Sequence, residues 1–539
     1  MSNYISYALL WGLWPIIRDG RLEHHFSSEP VVIYLLFQDC PPFQKVTISN
    51  KGIQIESLEH EPTKVEIKTE RAAVVKGNLS EWAKGLDSVF DVFNSLLKLK
   101  NLRALLKLAT IATSKKLSKP PTKFFVIQEP NQNLLKTEEF PLQSNQSSSS
   151  GFSNSSSEAL ELSKAPESSD ASSTETRLSK GARIWAVLNG KKPDRLPIFT
   201  IGVDNQFCDS YYQQVGIPFE RLRKYVRLGL SLNAPYHFPV LNEMGFDGNV
   251  FWALQPLRII QGQLYDDFGS KQGFAFHKGA PSPWYVGPGL KSKEDIKKWW
   301  DEGFPKPYGK RIFTTIGRLR KKLAKHFDNY CLFSGVNGPF EVLSMPLGFG
   351  FMSRLMRPDP ALVHEFLDRN WQVSKQGLEY LLKTGQKIVL CGDDYGYNLG
   401  LLLREEQWRK FIRPVLENYV KLVHQYGAKF LLHSCGKIKS IFGDLHDIGV
   451  DGVQSLNPMF NDLPALQKLY GDQICLLGGI DDTKLLFSAS PQEIKKAVTQ
   501  QCEILGKNGR WIPGPTNFLG NQPVQNIQAM ISAIKSFEL

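Results

Sequence analysis

A histidine and a cysteine stand two positions apart in the stretch LLHSCGKIKS, residues 431–440, directly after an apolar run. Residues two apart at a strand end point to the same side, so His433 and Cys435 would share one face. Imidazole and thiolate suit Zn²⁺ as ligands. Two other interpretations stay open: His433 is a general acid or base, or Cys435 is a buried thiol beside a locally hydrogen-bonded His433.

The two aspartates of the sequence GDDYG form a second candidate group. Successive strand residues face opposite sides, so we expect at most one of Asp393 and Asp394 to face a site directly. That carboxylate would bind a substrate amine or a metal directly, or would hydrogen-bond to the imidazole of His433 while His433 binds the metal. Alternatively, the pair is a polar turn that closes a strand. Tyr395 and Tyr397 would lie on the same rim, and the catalytic candidates are His433, Asp393, Asp394 and Tyr397.

Eight short apolar runs, each followed by a polar or glycine-rich stop and a helical pattern, organise the C-terminal part of the chain. Parallel strands covered by helices have such continuous apolar runs, and eight of them predict an α/β fold, a (β/α)8 TIM barrel. We expect an inserted hairpin at 262–280. The eight runs are 195–202, 246–252, 331–338, 387–394, 428–436, 450–456, 473–480 and 509–516.

Polar residues beside these runs are candidates for substrate binding, because barrel active sites form at the carboxyl ends of the strands. If the barrel is correct, residues spread over a long stretch of chain converge on one mouth. The substrate-binding candidates are Asp204, Asn205, Glu243, Asn337, Asn457 and Asn517.

Composition divides the chain into three segments. Residues 131–180 are rich in serine and poor in aromatic residues, which predicts a flexible, disordered linker. Residues 1–130 predict a small α+β domain, with an antiparallel meander of strands at 30–39, 43–49, 52–57 and 64–69 followed by helices across 86–109. Residues 181–539 form the barrel.

The overall composition indicates a soluble globular protein, with 42% hydrophobic and 22% charged residues. The positive charge is concentrated at 98–123, which favours an amphipathic helix packed on a core or lying on an anionic membrane over a nucleic-acid site. Seven scattered cysteines favour a reducing, cytoplasmic setting over a disulfide framework. The apolar stretch 7–17 is too short to span a bilayer, so no transmembrane segment is expected.

Several stretches of the C-terminal segment together resemble the uroporphyrinogen decarboxylase superfamily. They include PDRLPIF, NEMGFDG, SGVNGPFEVLSMPLGF, CGDDYGYNLGLLL, the long run that starts at HSCG, LLGGID and PVQNIQAM. More weakly, VVIYLLFQDCPPFQKVTISNKGIQI and KNLRALLKL resemble sterol carrier proteins. That second resemblance implies a lipid-binding N-terminal domain, and a docking or regulatory module is the alternative.

The superfamily resemblance implies one of two chemistries. Its decarboxylases need no cofactor and hold a polycarboxylate with arginines after the first strand, yet 198–212 contain none here, and unpaired carboxylates are costly to bury. Its zinc-dependent methyltransferases exchange a methyl group between a corrinoid protein and a thiol, and their His-x-Cys-Gly motif matches 433–436. This implies His433 and Cys435 as metal ligands, zinc as cofactor and a corrinoid carried by a partner protein.

One departure from the methyltransferases concerns the third metal ligand, a cysteine after the eighth strand, which 509–521 lack. Glu243, Asp393 or Asp394 would have to complete the site. The leading hypothesis is methyl transfer to a thiol acceptor. Its rivals are a cofactor-free decarboxylase of a polycarboxylate and a non-catalytic lipid-binding or scaffold protein. The sequence leaves the oligomeric state open.

Overall fold

The computed structural model describes most of the C-terminal segment and parts of the N-terminal one. The described residues are 31–37, 43–49, 52–58, 60–63, 66, 73–77, 177–204, 240–252, 257–260, 263–277, 280–306, 328–507 and 509–539, with single residues between 207 and 214 and between 313 and 325. The helices predicted at 86–109 and most of the predicted linker lie outside these residues. Lys180, which the prediction assigned to the linker, begins a helix instead.

The N-terminal residues form a four-stranded sheet in the order β3-β2-β1-β4. Its strands are β1 (Val31–Phe37), β2 (Phe43–Ser49), β3 (Gly52–Leu58) and β4 (Ala73–Gly77). Strands β1, β2 and β3 pair antiparallel, as the alternating sequence predicts, whereas β4 pairs parallel with β1.

The predicted fourth strand at 64–69 is wrong at Glu66, which is helical. The backbone N–H of Thr63 donates to Glu66 Oε2 at 2.7 Å, and the N–H of Glu66 donates to Thr63 Oγ1 at 3.2 Å. This reciprocal pair has the pattern of a capping box, which is typical of a helix start rather than of a strand.

The C-terminal segment contains an eight-stranded parallel sheet in the order β18-β17-β16-β15-β12-β11-β6-β5. This confirms the predicted barrel fold. The described strands of this segment are β5 (Phe199–Thr200), β6 (Gly248–Trp252), β7 (Leu257–Ile260), β8 (Gln263–Asp266), β9 (Ser270–His277), β10 (Ala280–Pro288), β11 (Cys331–Asn337), β12 (Ile388–Gly392), β13 (Gly396–Tyr397), β14 (Gly400–Leu401), β15 (Lys429–His433), β16 (Gly452–Gln454), β17 (Cys475–Ile480) and β18 (Trp511–Pro515).

The ring closes where the first and last strands meet. A Cβ at Gly514 would lie 1.8 Å from the carbonyl oxygen of Phe199, so β18 and β5 approach too closely for a side chain there. Beyond the strands, Val203 and Leu519 form a parallel bridge. The carboxyl ends of all eight strands therefore surround one mouth.

Helices cover the outside of the ring and alternate with the strands, as continuous apolar strands require. The described helices are α1 (Lys180–Leu188), α2 (Lys293–Asp301), α3 (Pro339–Leu347), α4 (Phe349–Leu355), α5 (Pro360–Lys383), α6 (Glu405–Gln407), α7 (Arg413–Gln425), α8 (Phe442–Asp447), α9 (Leu463–Tyr470), α10 (Leu485–Ser488), α11 (Pro491–Gln501) and α12 (Val524–Lys535), with π-helical turns at Trp408–Ile412 and Cys502–Gly506 and a 3₁₀ turn at Lys439–Ile441. In the described part of the chain, no helix combines the length and apolar character needed to cross a membrane.

Helix α1 covers the amino end of the barrel. A Cβ at Gly248, the first residue of β6, would lie 2.9 Å from Ile184 Cδ1. Ile184 and Val187 join the side chains of the barrel interior in one buried cluster. The interior of the barrel at this end is therefore filled largely by apolar side chains.

An antiparallel four-stranded sheet, β7 to β10, is inserted between the second and third barrel strands. The hairpin predicted at 262–280 corresponds to β8 and β9, and β7 and β10 extend it on either side. Just before it, Trp252 ends β6 and spreads its indole over the neighbouring strands. A Cβ at Gly335 would lie 2.3 Å from Trp252 Cε3, and a Cβ at Gly392 would lie 3.0 Å from Cη2. The indole occupies the space that side chains at both positions would fill, and it forms the floor of the mouth beside His433, the register partner of Gly392.

Candidate metal centre

The imidazole of His433 stands at the end of β15 and is held there by a neighbouring strand. Its Nδ1 hydrogen-bonds the side-chain oxygen of Gln454, which ends β16. The other end of that amide donates from Nε2 to the carbonyl oxygen of Thr516 at 3.0 Å. Because the amide N–H₂ is engaged with a carbonyl, its oxygen accepts the Nδ1 proton of His433. The Nε2 lone pair is therefore left available on the side of Cys435.

Gly436 allows the segment after β15 to pass very close to the hairpin of β13 and β14. Its φ is 78°, and a Cβ there would lie 2.3 Å from the carbonyl carbon of Gly396. The N–H of Lys437 donates to the carbonyl oxygen of Tyr397 at 2.9 Å. The glycine of the HSCG motif thus brings the segment that carries Cys435 against the one that follows Asp394.

Three side chains converge at this point. His433 Nε2 lies 3.7 Å from Cys435 Sγ and 3.6 Å from Asp394 Oδ1. The ligand atoms of the three residues all lie within 4.8 Å of one another. The backbone N–H of Cys435 donates to Asp394 Oδ1 at 2.7 Å and fixes the carboxylate.

This arrangement fits a zinc ion. Zinc bonds of about 2.0–2.3 Å in a tetrahedron place the ligand atoms about 3.3–3.8 Å apart, which matches the two separations from His433 Nε2. Nitrogen, sulfur and oxygen ligands are the set that zinc accepts in catalytic sites, where three protein ligands leave a fourth position open.

The charges at the centre also favour a cation. Burial, followed by the negative charge of Asp394, raises the pKa of the Cys435 thiol to about 12. Among the described residues, no lysine or arginine nitrogen lies within 4.0 Å of Asp394. A bound cation reverses this situation, because it deprotonates a coordinating thiol and neutralises the carboxylate.

Asp393 faces the opposite way from Asp394. Its carboxylate accepts the N–H of Phe340 at 3.0 Å and that of Glu341 at 2.7 Å, and so caps the first turn of α3. A Cβ at Gly338 would lie 2.3 Å from Asp393 Cγ, so glycine is required at that approach. Burial is the main cause that raises the pKa of Asp393 to about 7. The geometry assigns Asp393 to the start of α3 rather than to the group around His433.

The comparison with protein families matches residues 266–537 of the chain to the family described as uroporphyrinogen decarboxylase (URO-D). The chain belongs to the URO-D family.

Individual relatives of this URO-D family chain include methyltransferases. It is similar to methylcobamide:CoM methyltransferase MtaA of Methanosarcina barkeri, with 21% identity over 203 residues, or 38% of this chain and 57% of the relative. The chain thus matches a little over half the length of that curated relative.

Among solved structures, a methyltransferase from Methanosarcina mazei is 16% identical, with a TM-score of 0.49 over 67% of this chain and 99% of that one. The 3-keto-D-glucoside 4-epimerase YcjR from E. coli is 10% identical, with a TM-score of 0.30 over 47% and 98% of the two chains.

Asn517 and Asn337 are the predicted substrate residues that lie at the mouth of this URO-D family barrel. Asn517 follows β18, and its Nδ2 lies 3.7 Å from Cys435 Sγ. Asn337 is the last residue of β11. Asn457 instead braces two loops, because its Nδ2 donates to Asp481 Oδ1 at 3.0 Å.

Asp204 also lies at this end of the ring, where its N–H donates to the carbonyl oxygen of Leu519 at 2.8 Å and its Oδ1 accepts the N–H of Phe207 at 2.8 Å. The remaining predicted residues have other positions. Tyr397 is exposed on the hairpin beside the centre, with its backbone rather than its hydroxyl held by Lys437. Asn205 lies outside the described residues.

Glu243 cannot complete the metal site. It is exposed and belongs to the helical residues just before β6, so it lies at the amino end of the barrel, whereas His433 lies at the carboxyl end. The prediction placed Glu243 at the mouth because it lies close to a barrel strand in the sequence. It precedes that strand, however, and residues before and after a strand lie at opposite ends of the ring.

Three residues that border the centre are not among the candidates predicted from the sequence. Gln454 and Ser455 contact His433 and Cys435 from the end of β16. Burial, with the nearby carboxylates of Asp393 and Asp394, raises the pKa of Glu341. Gln454 and Ser455 lie at the end of the predicted strand 450–456, which indicates a position near the mouth but not which side chains they contact.

The interpretation that a partner carries the corrinoid assumed that this chain lacks the corrinoid-binding pattern Asp-x-His-x-x-Gly. That assumption is wrong for the pattern itself, because residues 444–449 match it. In the structure this segment forms the end of helix α8. Asp444 pairs with Arg409 at 3.0 Å, the ring of His446 packs on Tyr470, and Gly449 ends the helix with a φ of 87°. These contacts give the segment a structural role on the outside of the barrel.

Proposed function

We propose that the chain is a zinc-dependent methyltransferase that exchanges a methyl group between a corrinoid carried by a partner protein and a small thiol. The observation that carries the proposal is the convergence of His433, Cys435 and Asp394 at the mouth of the barrel. His433 and Cys435 are the two ligands that the sequence predicts, and Asp394 takes the place of the missing cysteine.

Bound to these three residues, zinc would hold the acceptor thiol as a thiolate at neutral pH. The chain's own groups prepare the site for this. Gln454 sets the tautomer of His433, and the N–H of Cys435 orients the carboxylate of Asp394. The indole of Trp252 lies between the site and the apolar interior of the barrel.

The similarity to MtaA of Methanosarcina barkeri supports methyl transfer over decarboxylation. The absence of arginine from 198–212 also weighs against a polycarboxylate substrate. A partner that carries the corrinoid accords with the structural role of the 444–449 segment. The lipid-binding role of residues 1–130 stays a prediction.

The first experiment measures zinc in the purified full-length chain. We expect about one zinc per chain in the wild type, almost complete loss in His433→Ala, and full retention in the matched control His446→Ala, whose ring packs on Tyr470. A wild type without zinc after exposure to the metal would contradict the proposal.

The second experiment mixes the zinc-loaded chain with methylcobalamin and a panel of small thiols and follows the corrinoid absorbance. Thiol-dependent demethylation that stops with chelator, and is absent in His433→Ala, would support the proposal. Release of CO₂ from a polycarboxylate in the presence of chelator would favour the decarboxylase alternative.

A further inference from the structure

Ser455 has an unusual backbone conformation for its residue type. It follows β16 directly, it is buried, and its φ is 75°, in the left-handed region. The other non-glycine residues with positive φ in the described chain are Asp328 and Asn329, and both types adopt this region more readily than serine. Such conformations cluster at functional sites, where the surroundings hold them in place.

The hydroxyl of Ser455 is directed at the metal centre. Its Oγ lies 3.3 Å from Cys435 Sγ, within hydrogen-bonding distance for sulfur. On another side of the same sulfur, Asn517 Nδ2 lies 3.7 Å away. When Cys435 is a thiolate it only accepts hydrogen bonds, so Ser455 is then the donor.

The methyl donor would lie near two sulfurs, that of the acceptor thiol and that of Cys435. Only the acceptor thiol should be methylated. Methylation of Cys435 would form an S–CH₃ bond, leave the electron pair of the broken carbon–cobalt bond on the corrinoid, and convert a thiolate ligand to a neutral thioether. A thioether is a much weaker zinc ligand, so the centre would be lost.

We propose that Ser455 is a positioning residue whose hydroxyl donates a hydrogen bond to the Cys435 sulfur and keeps that sulfur a ligand rather than a methyl acceptor. A hydrogen bond to a thiolate stabilises its lone pairs and lowers its reactivity toward an electrophile. The left-handed turn at Ser455 places the hydroxyl where it meets the sulfur. This inference rests on the proposed zinc centre.

The test replaces zinc with Co²⁺ in the full-length chain and records the thiolate-to-cobalt charge-transfer band. In Ser455→Ala the band should move to longer wavelength, because the sulfur lone pairs rise in energy without the donor. Ser455→Gly should give the same shift, although glycine relieves the positive φ. The pair of variants therefore separates the hydroxyl from the backbone conformation.

A second readout is alkylation of Cys435 by iodoacetamide in the zinc-loaded protein, followed by peptide mass spectrometry. Both variants should react about threefold to tenfold faster than the wild type, as expected for loss of one hydrogen bond of ordinary net strength. A structural role alone would leave this rate unchanged.

The outcomes are distinguishable. An unchanged band and alkylation rate in both variants would overturn the role of Ser455 and leave the proposed function intact. A shift in Ser455→Gly alone would also overturn it, because strain rather than the hydroxyl would then matter. A wild type that takes up no Co²⁺ would overturn the metal centre and this inference together.

Discussion

The two ends of the barrel differ in how their carboxylates are paired. At the amino end, Asp247 is fully buried and accepts from Arg183 Nη1 at 2.7 Å and from Arg195 Nη1 at 2.8 Å. Asp451, just before β16, is bound by Lys429 Nζ at 2.8 Å and His424 Nε2 at 2.7 Å. The chain supplies the cations for both carboxylates.

At the carboxyl end, Asp394 and the Cys435 sulfur share their space with a histidine and with no lysine or arginine among the described residues. The carboxylates of Asp247 and Asp451 stabilise the fold, and the chain itself supplies the side chains that neutralise them. The Asp394 side chain is 41% exposed and is therefore solvated in the absence of metal, whereas a bound cation would add the positive charge that the chain does not supply there. The contrast thus shows a difference between carboxylates paired within the fold and one left open to a ligand.

The largest effect should come from breaking the amino-end network. Asp247→Ala removes the buried carboxylate that Arg183 and Arg195 share, although Arg183 keeps its pair with Asp194, so we expect the free energy of unfolding to fall by about 3–5 kcal/mol. Urea denaturation of the full chain measures this change. Exposed Asp472→Ala is the control and should change it by less than about 0.5 kcal/mol. A loss below about 1 kcal/mol for Asp247→Ala would contradict the distinction between the two ends.

A smaller effect is expected from the support of the metal ligand. Gln454→Leu removes the acceptor that fixes the tautomer of His433, and we expect a 10- to 100-fold lower zinc affinity. Competition with a colorimetric chelator measures it. Gln473→Leu is the matched control, because that amide contacts the His446 carbonyl away from the centre. Equal affinities for the two variants would count against the role of Gln454.

The Asp451 cluster predicts a pH-dependent loss of about 1–2 kcal/mol in Asp451→Asn. Burial alone would raise the pKa of Asp451, but hydrogen bonds from His424, Lys429 and the Phe430 N–H hold it below its usual value. A carboxyl with a depressed pKa stabilises the fold above its unfolded pKa, and this contribution is lost as the pH falls through the folded value. The difference between wild type and variant should therefore be full at pH 7 and shrink in acid below about pH 4. A difference independent of pH would contradict this assignment.

The smallest effect concerns Asp394 in metal-free protein. Asp394→Asn keeps an acceptor for the Cys435 N–H and removes a charge that no described lysine or arginine pairs. The free energy of unfolding in chelator should change by less than about 0.5 kcal/mol, or rise slightly. A large loss without metal would place Asp394 among the structural carboxylates.

Much of the barrel was predictable because each strand carries its own signal. The eight apolar runs each mark a strand, and β15 leads directly to His433 and Cys435. Alternation along β12 limits how many of Asp393 and Asp394 face the mouth, but it does not say which one. That choice depends on α3, whose first N–H groups bind Asp393.

The partners of the candidate ligands were not predictable, because they come from other strands. Gln454 and Ser455 meet His433 and Cys435 only through the register of β15 against β16. Spacing in one sequence does not encode that register. The capping-box pattern of Thr63 and Glu66 is present in the sequence, but the alternating residues at 64–69 led to the prediction of a strand.

The indole of Trp252 has a consequence for the range of molecules that the mouth accepts. Gly335 and Gly392 have no side chains, so the indole occupies the space above both positions. Exchange of the indole for a smaller group would deepen the cavity without any movement of the strands, whereas a methyl group at Gly392 would push the indole upward. Relatives with the same ligands can thus diverge in substrate size through a single codon.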